Sequence, residues 1–302
     1  PDAAGQFPVL IERTPYDKTA SSESSLGAGE YYASHGYVTV IQDVRGRFAS
    51  DGVFYPFRDD GDGENQDGYD TVEWAAAQPW SNKKIGTIGG SYSGATQYRM
   101  LATQPPHLVA QFVRQSSSDY YIEWVYRSGV FEHGFNISWT LKHASTNAAK
   151  LAPDGMEDEV VTRLNKASDD YQKWLEHVPI SPLPPVADLQ EWFVDWMDHP
   201  NQGEYWNEFS IVRSHDRVDV PVHHFGSWYD CFLRGTLENY VGMRSKAVNK
   251  QARSGQRLTI GPWVHNPSPA DMRTSGEVDF GEQAKLGWFA TRLRWFDYWL
   301  KG

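Results

Sequence analysis

Apolar positions in the first 116 residues gather into short runs separated by stretches of helical spacing. Four of these runs read as strands: "FPVLIER" at 7–13, "YVTVIQDV" at 37–44, "KIGTIGG" at 84–90 and "LVAQFVRQ" at 108–115. Strands covered on both faces show such near-continuous apolarity rather than strict alternation. Between them, "SLGAGEYYASHG", "DGYDTVEWAAAQPW" and "SGATQYRMLATQPP" carry helix-like spacing or end on a Gly or Pro stop. Strand and helix in alternation predict a mostly parallel central sheet flanked by helices.

From about 117 to 217 the pattern changes to long amphipathic stretches with no strand pattern. Examples are "GMEDEVVTRLNKASDDYQKWLEHV" and, after the proline-rich link "PISPLPP", "VADLQEWFVDWMDH". Strand runs return at "VPVHHFGSW" (220–228) and "QRLTIGPW" (256–263), and the last run, "EQAKLGWFATRLRWFDYWLKG", has amphipathic helical spacing. The expected organisation is an α/β catalytic domain made of 1–116 and 218–302, with a helical cap inserted at 117–217. No internal repeat is visible. Six of the 13 tryptophans lie between Trp124 and Trp206, which points to an insertion that covers an apolar cleft.

A net charge of -11 without any basic block speaks against nucleic acid or an anionic membrane as partner. No apolar run approaches the roughly 18 residues of a membrane span. The single cysteine, Cys231, excludes an intrachain disulfide and any CxxC metal spacing. One cysteine suits a reducing compartment, so the expectation is cytoplasmic. The chain starts without Met, which leaves room for an upstream leader. The acidic run "RDDGDGENQDGYD" fails the EF-hand pattern, because Asn65 and Thr71 stand where Gly and Glu are required. It reads instead as a solvated loop running into a helix N-terminus, where acidic residues are favoured.

The stretch "TIGGSYSGAT" (87–96) sets Ser91 between a strand and a helix. A nucleophile elbow needs that context and small residues two positions before and after the serine, because the turn brings them together. Gly89 and Ser93 meet the demand, and Gly94 lets the helix start close to the sheet. The glycine is nevertheless one place later than in Gly-x-Ser-x-Gly, so a simple small-residue turn stays open on this motif alone.

Two downstream residues strengthen the elbow reading. In this type of sheet the order is Ser, then an acid, then His, on loops after later strands. Asp230 follows one of the later apolar strands and His265 the next. His223 and His224 lie inside a strand, while His35 and Asp43 precede Ser91 and break the order.

Taken together, "RTPYDK", "QDVRGRFASDG", "GGSYSG", "GSWYDCF" and "GPWVH" resemble the catalytic domain of the cocaine esterase and X-prolyl dipeptidyl-peptidase family of serine hydrolases. The resemblance runs over nearly the whole chain and implies the α/β-hydrolase fold. The family's elbow is Gly-x-Ser-Tyr-x-Gly, which this sequence matches. The resemblance implies Ser91 as nucleophile, Asp230 as triad acid and His265 as general base. It also implies an oxyanion hole made of the Tyr92 amide and the Tyr16 hydroxyl, and an aromatic acyl contact at Phe232.

Where relatives that hydrolyse α-amino acid esters carry carboxylates, this chain has Phe232 and Leu233, so an apolar acyl group is expected. The family's C-terminal β-sandwich domain is expected to be absent, as are one or two leading strands, leaving an excised or truncated catalytic region. The expected activity is cleavage of an ester or amide bond through an acyl-enzyme, without cofactor or metal. The substrate is expected to be a small ester or short peptide, with the oligomeric state left open. Two alternatives remain. A dipeptidyl-peptidase acting after proline would need an anchor for the peptide N-terminus, for which Glu123 and Glu132 are candidates. A binding module would keep the fold without turnover.

Overall fold

The computed structural model describes residues 4–20, 27–265 and 269–302. Its centre is a six-stranded sheet built from β1 (Phe7–Thr14), β2 (Val38–Asp43), β3 (Ser81–Gly90), β4 (Leu108–Arg114), β7 (Val222–Tyr229) and β8 (Arg257–Val264). The spatial order is β2-β1-β3-β4-β7-β8, and every neighbouring pair is parallel. The helices that matter here are α1 (Ala28–Ser34), α2 (Asp67–Ala76), α3 (Tyr92–Met100), α4 (His133–Ser145), α5 (Glu157–Asp169), α6 (Glu191–Asp198), α7 (Leu233–Lys246) and α8 (Trp288–Phe296).

The apolar strand pattern is explained by cover on both faces. On β1, Val9 and Ile11 pack with Val72, Ala75 and Tyr98. Leu10, between them, packs on the opposite side with Tyr32, Trp288 and Phe296. Each such aliphatic side chain withdrawn from water contributes roughly 1.5–3 kcal/mol against the entropy of ordering the chain. β3 begins three residues earlier than the apolar run suggests. Its polar start pairs with Phe7 and is offset by a register shift next to Lys83, whose φ is 65°.

The chain leaves β1 for β2 on one side and returns to β3 on the other. A crevice therefore opens at the carboxyl ends between β1 and β3, the usual ligand position in such sheets. The register lines those ends up: Gly90 pairs with Arg114, and Tyr229 with Val264.

Between β4 and β7 the chain is mainly helical, with a π-helical turn at Tyr121–Val125. It also holds a short hairpin of β5 (Tyr126–Arg127) and β6 (Val130–Phe131), which the helical reading of 117–217 does not contain. Two-residue strands are too short to show a period. The turn between them takes positive φ at Ser128 and Gly129, the geometry of a tight hairpin. Trp124, Trp192, Trp196 and Trp206 are buried in one cluster that reaches down to Tyr92 and Phe232.

The acidic loop is less solvated than its sequence implies. Asp60 is buried and bonded to Arg13 at 2.5 Å, while Asp67, which opens α2, holds Arg45 at 2.5 Å. Two basic residues distant in sequence, Arg13 and Arg45, draw these acids inward. The loop thereby ties β1 to the start of α2.

Candidate active site

Ser91 sits at the sharp turn between β3 and α3 with φ 57° and ψ -122°. This is a strained conformation for a residue with a side chain, and it is held by its neighbours. The Ser91 N–H donates to the carbonyls of Arg114 and Gln115, at 3.0 and 3.2 Å. Gly89 has φ 132°, and a Cβ there would lie 2.6 Å from the Cβ of Ser93. A Cβ on Gly94 would lie 2.6 Å from the Cβ of Ser116. The small residues around Ser91 are thus required by contact across the turn. The Tyr92 amide, first in α3, belongs to the N–H groups that a helix leaves for an anion.

Tyr16 follows β1 on the other side of the crevice. Its turn is clamped by the "QDVRGR" segment: Asp43 accepts from the Lys18 N–H and Nζ, both at 2.7 Å, and Arg47 Nε donates to the Pro15 carbonyl at 3.0 Å. Asp43, excluded by chain order from the triad, therefore has a structural task. The residue Tyr16 is 37% exposed overall, but its hydroxyl end is enclosed and faces the side chains of Ser91 and Trp139. This burial holds the phenol above its ordinary value of 10, outweighing those contacts and the Arg114 and Arg47 charges, which act the other way. The group is a proton donor at neutral pH, as an oxyanion partner must be.

Asp230 and His265 emerge from β7 and β8 and meet there, with His265 Nδ1 2.9 Å from Asp230 Oδ1. The Asp230 side chain is fully buried, and the same oxygen accepts the Phe232 N–H at 3.1 Å. Among the described residues no hydrogen bond joins the Ser91 hydroxyl to His265. Such bonds often close only once substrate is present.

Gln115, at the end of β4 with φ 45°, links the two halves. Its carbonyl receives the Ser91 N–H, while its side-chain amide donates to the Val264 carbonyl at 2.7 Å and to the Ser227 hydroxyl at 2.6 Å. The serine turn and the histidine loop are thus joined through Gln115.

Aromatic side chains wall the crevice. Phe232 is buried, stacks on Trp124 at 4.8 Å and meets the His265 ring edge-on at 5.4 Å. On the Tyr16 side, His143 lies 5.2 Å from the Tyr16 ring and 4.0 Å from that of Trp139. Burial drives the His143 imidazole well below its ordinary value, with Arg47 and Lys142 acting the same way, so it is neutral. Trp124, Trp139, His143 and Gln115 are site residues that sequence reasoning did not single out. Only the tryptophan crowding pointed toward two of them.

The remaining candidates are engaged in other contacts. Glu132 is paired with Arg127. His223 and His224 are strand residues, and His224 bridges Tyr98 and Gln256 at 2.7 and 2.8 Å. Cys231 points its thiol at Asp230, 3.6 Å away, and burial together with that carboxylate pushes the thiol up to about 12, which removes it as a nucleophile.

Glu123 is buried and accepts from the Ser118 N–H at 2.8 Å. Burial foremost, with Glu238 adding to it, raises its carboxyl from 4.5 to about 7. A carboxyl raised in the folded state favours folding below its unfolded pKa and loses that contribution as pH climbs through the folded one. The shift corresponds to at most about 3 kcal/mol. Glu123→Gln is therefore expected to gain stability relative to the parent between pH 5 and 8, read from urea melts across that range. Identical pH dependence in both proteins would refute the assignment.

A strained serine after β3, with an Asp–His pair after β7 and β8 on a parallel sheet, has the layout of an α/β-hydrolase. The sequence profile of the X-Pro dipeptidyl-peptidase (S15) family matches residues 1–267, and the chain belongs to that family. It is 31% identical over 274 residues to a cocaine esterase of Rhodococcus sp., covering 88% of this chain and 45% of that one. Among solved structures, it is similar to a CocE/NonD family hydrolase from Staphylococcus aureus, with TM-score 0.66, 22% identity and coverage of 100% of this chain and 46% of the other. It is also similar to an α-amino acid ester hydrolase, with TM-score 0.70, 22% identity and coverage of 99% and 50%. The chain thus spans about half the length of these relatives.

Proposed function

We propose that the chain is the catalytic region of a carboxylic ester hydrolase that works through an acyl-enzyme. The observation that supports this reading is a strained Ser91 after β3 and an Asp230–His265 pair after β7 and β8, all at carboxyl ends of one parallel sheet. In this reading His265 takes the Ser91 proton as Ser91 attacks the ester carbonyl, and later returns it to the leaving group. Asp230 keeps the proton on Nδ1 and balances the imidazolium. The Tyr92 amide and Tyr16 hydroxyl receive the charge that develops on the carbonyl oxygen. The segment 117–217 acts as a cap, and its aromatic cluster, joined to Phe232, favours an apolar acyl group. The name of the Rhodococcus relative agrees with an ester substrate.

The dipeptidyl-peptidase alternative loses its two offered anchors, since Glu132 holds Arg127 and Glu123 is engaged by Ser118. A panel of p-nitrophenyl esters beside a Gly-Pro anilide, run on this chain and on the full-length protein, separates the readings. Ester hydrolysis is expected to dominate, and a faster anilide would reverse the assignment. Tyr16→Phe removes one donor to the oxyanion and is expected to lower kcat by roughly 10²-fold with KM little changed. An unaltered kcat would take Tyr16 out of that role.

A further inference from the structure

We propose that Asp230, Cys231 and His265 form a binding site for a thiophilic divalent cation of the Zn²⁺ class, and that occupancy switches the triad off. The loop after β7 and the end of β8 bring an imidazole nitrogen, a carboxylate oxygen and a thiol sulfur within 4.8 Å of one another. Two of the separations are already short: 2.9 Å from His265 Nδ1 to Asp230 Oδ1, and 3.6 Å from Cys231 Sγ to that oxygen. Around tetrahedral zinc the donor atoms stand roughly 3.3–3.7 Å apart, given its bond lengths of about 2.0 Å to N or O and 2.3 Å to S. Small side-chain movements therefore suffice.

The other oxygen of this carboxylate is engaged by neither His265 nor Cys231. Asp230 Oδ2 is buried and has no hydrogen-bond partner among the described residues. An unsatisfied carboxylate oxygen in a dry position is costly unless something positive approaches it. Cys231 and His265 are exposed as residues, which gives a cation its path from solvent, although the thiol end itself is partly enclosed against Asp230 and gives up its proton only to the charge of the cation. Imidazole, carboxylate and thiolate together, with water in the fourth position, are donors that zinc accepts and that magnesium or calcium does not prefer.

In the esterase reading the resting imidazole carries its proton on Nδ1, facing Asp230. Binding moves that proton to Nε2 and opens the Nδ1 lone pair to the metal. The thiol loses its proton to solvent, so one proton leaves for each cation bound. An imidazole metallated on Nδ1 and protonated on Nε2 cannot accept the Ser91 proton, and acyl transfer stops. This inhibitory consequence rests on the esterase reading; the binding itself does not.

The test has two arms. In the first, Co²⁺ replaces Zn²⁺ and the near-ultraviolet cobalt–thiolate absorption is recorded; since Cys231 is the single cysteine of the chain, the band can come from one place. The band is expected in the parent and absent in Cys231→Ser, with folding of both checked by circular dichroism. In the second, Zn²⁺ is titrated against ester hydrolysis and reversed with EDTA, and Cys231→Ser is expected to require at least about 10-fold more Zn²⁺ for half inhibition. No cobalt band in the parent, a band retained in the variant, or equal zinc sensitivity of the two would overturn the proposal. If the chain hydrolysed no ester at all, the cobalt arm would still decide whether the site exists.

Discussion

Ser91→Ala is expected to lower ester turnover by roughly 10⁶-fold, the scale reached when a triad nucleophile is removed, and to abolish labelling by a fluorophosphonate probe. The substitution keeps the backbone demands of the turn, because alanine and serine carry the same Cβ at φ 57°. No neighbour can take over. Ser93, the nearest other serine in sequence, is buried and packed against Gly89. Ser93→Ala should accordingly retain labelling, which makes it the control. Mass spectrometry of the probe adduct reads both. Folded parent protein that fails to label at Ser91 would favour the binding-module reading over the enzyme.

Asp230→Asn is expected to cost roughly 10³-fold in kcat/KM, less than the ~10⁴-fold seen when an amide imposes the wrong histidine tautomer. The local hydrogen bonds give the reason. Asp230 Oδ1 accepts from both the Phe232 N–H and the His265 side, so an asparagine will turn its oxygen to that position and its nitrogen toward the unpartnered Oδ2 position. The tautomer survives, and what disappears is the negative charge opposite the imidazolium. A loss below about tenfold would mean the charge is not used; kcat/KM across pH provides the measurement.

The fold was legible because both faces of the sheet are covered. Strands such as Leu108–Arg114 and Val222–Tyr229 stand out as apolar runs, and their order along the chain puts Ser91, Asp230 and His265 at carboxyl ends of the same parallel sheet. The role offered for Tyr16 came from the family resemblance, since no local pattern marks a tyrosine as facing a serine 75 positions later. His143 and Trp139 belong to a helix whose surface pattern says only that one side is buried. Gln115 was invisible for another reason: its importance lies in a positive φ and two contacts made across three strands, neither of which leaves a periodic trace. The acidic loop misled in a physical way, because local charge density predicts exposure whereas Arg13 and Arg45, remote in sequence, pull Asp60 and Asp67 inward.

Gln115 also sets how the protein should fail on warming. The residue is buried, and it joins the serine turn to the carbonyl just before His265. Loosening at the end of β8 is therefore expected to reach the Ser91 turn through Gln115, one of the two residues whose carbonyls hold the Ser91 amide. Loss of activity and loss of amide-exchange protection at Ser91 then become one local event, with its own opening free energy below that of global unfolding. Heat is then expected to open the Ser91–His265 end of the sheet while the apolar clusters on its two faces still hold.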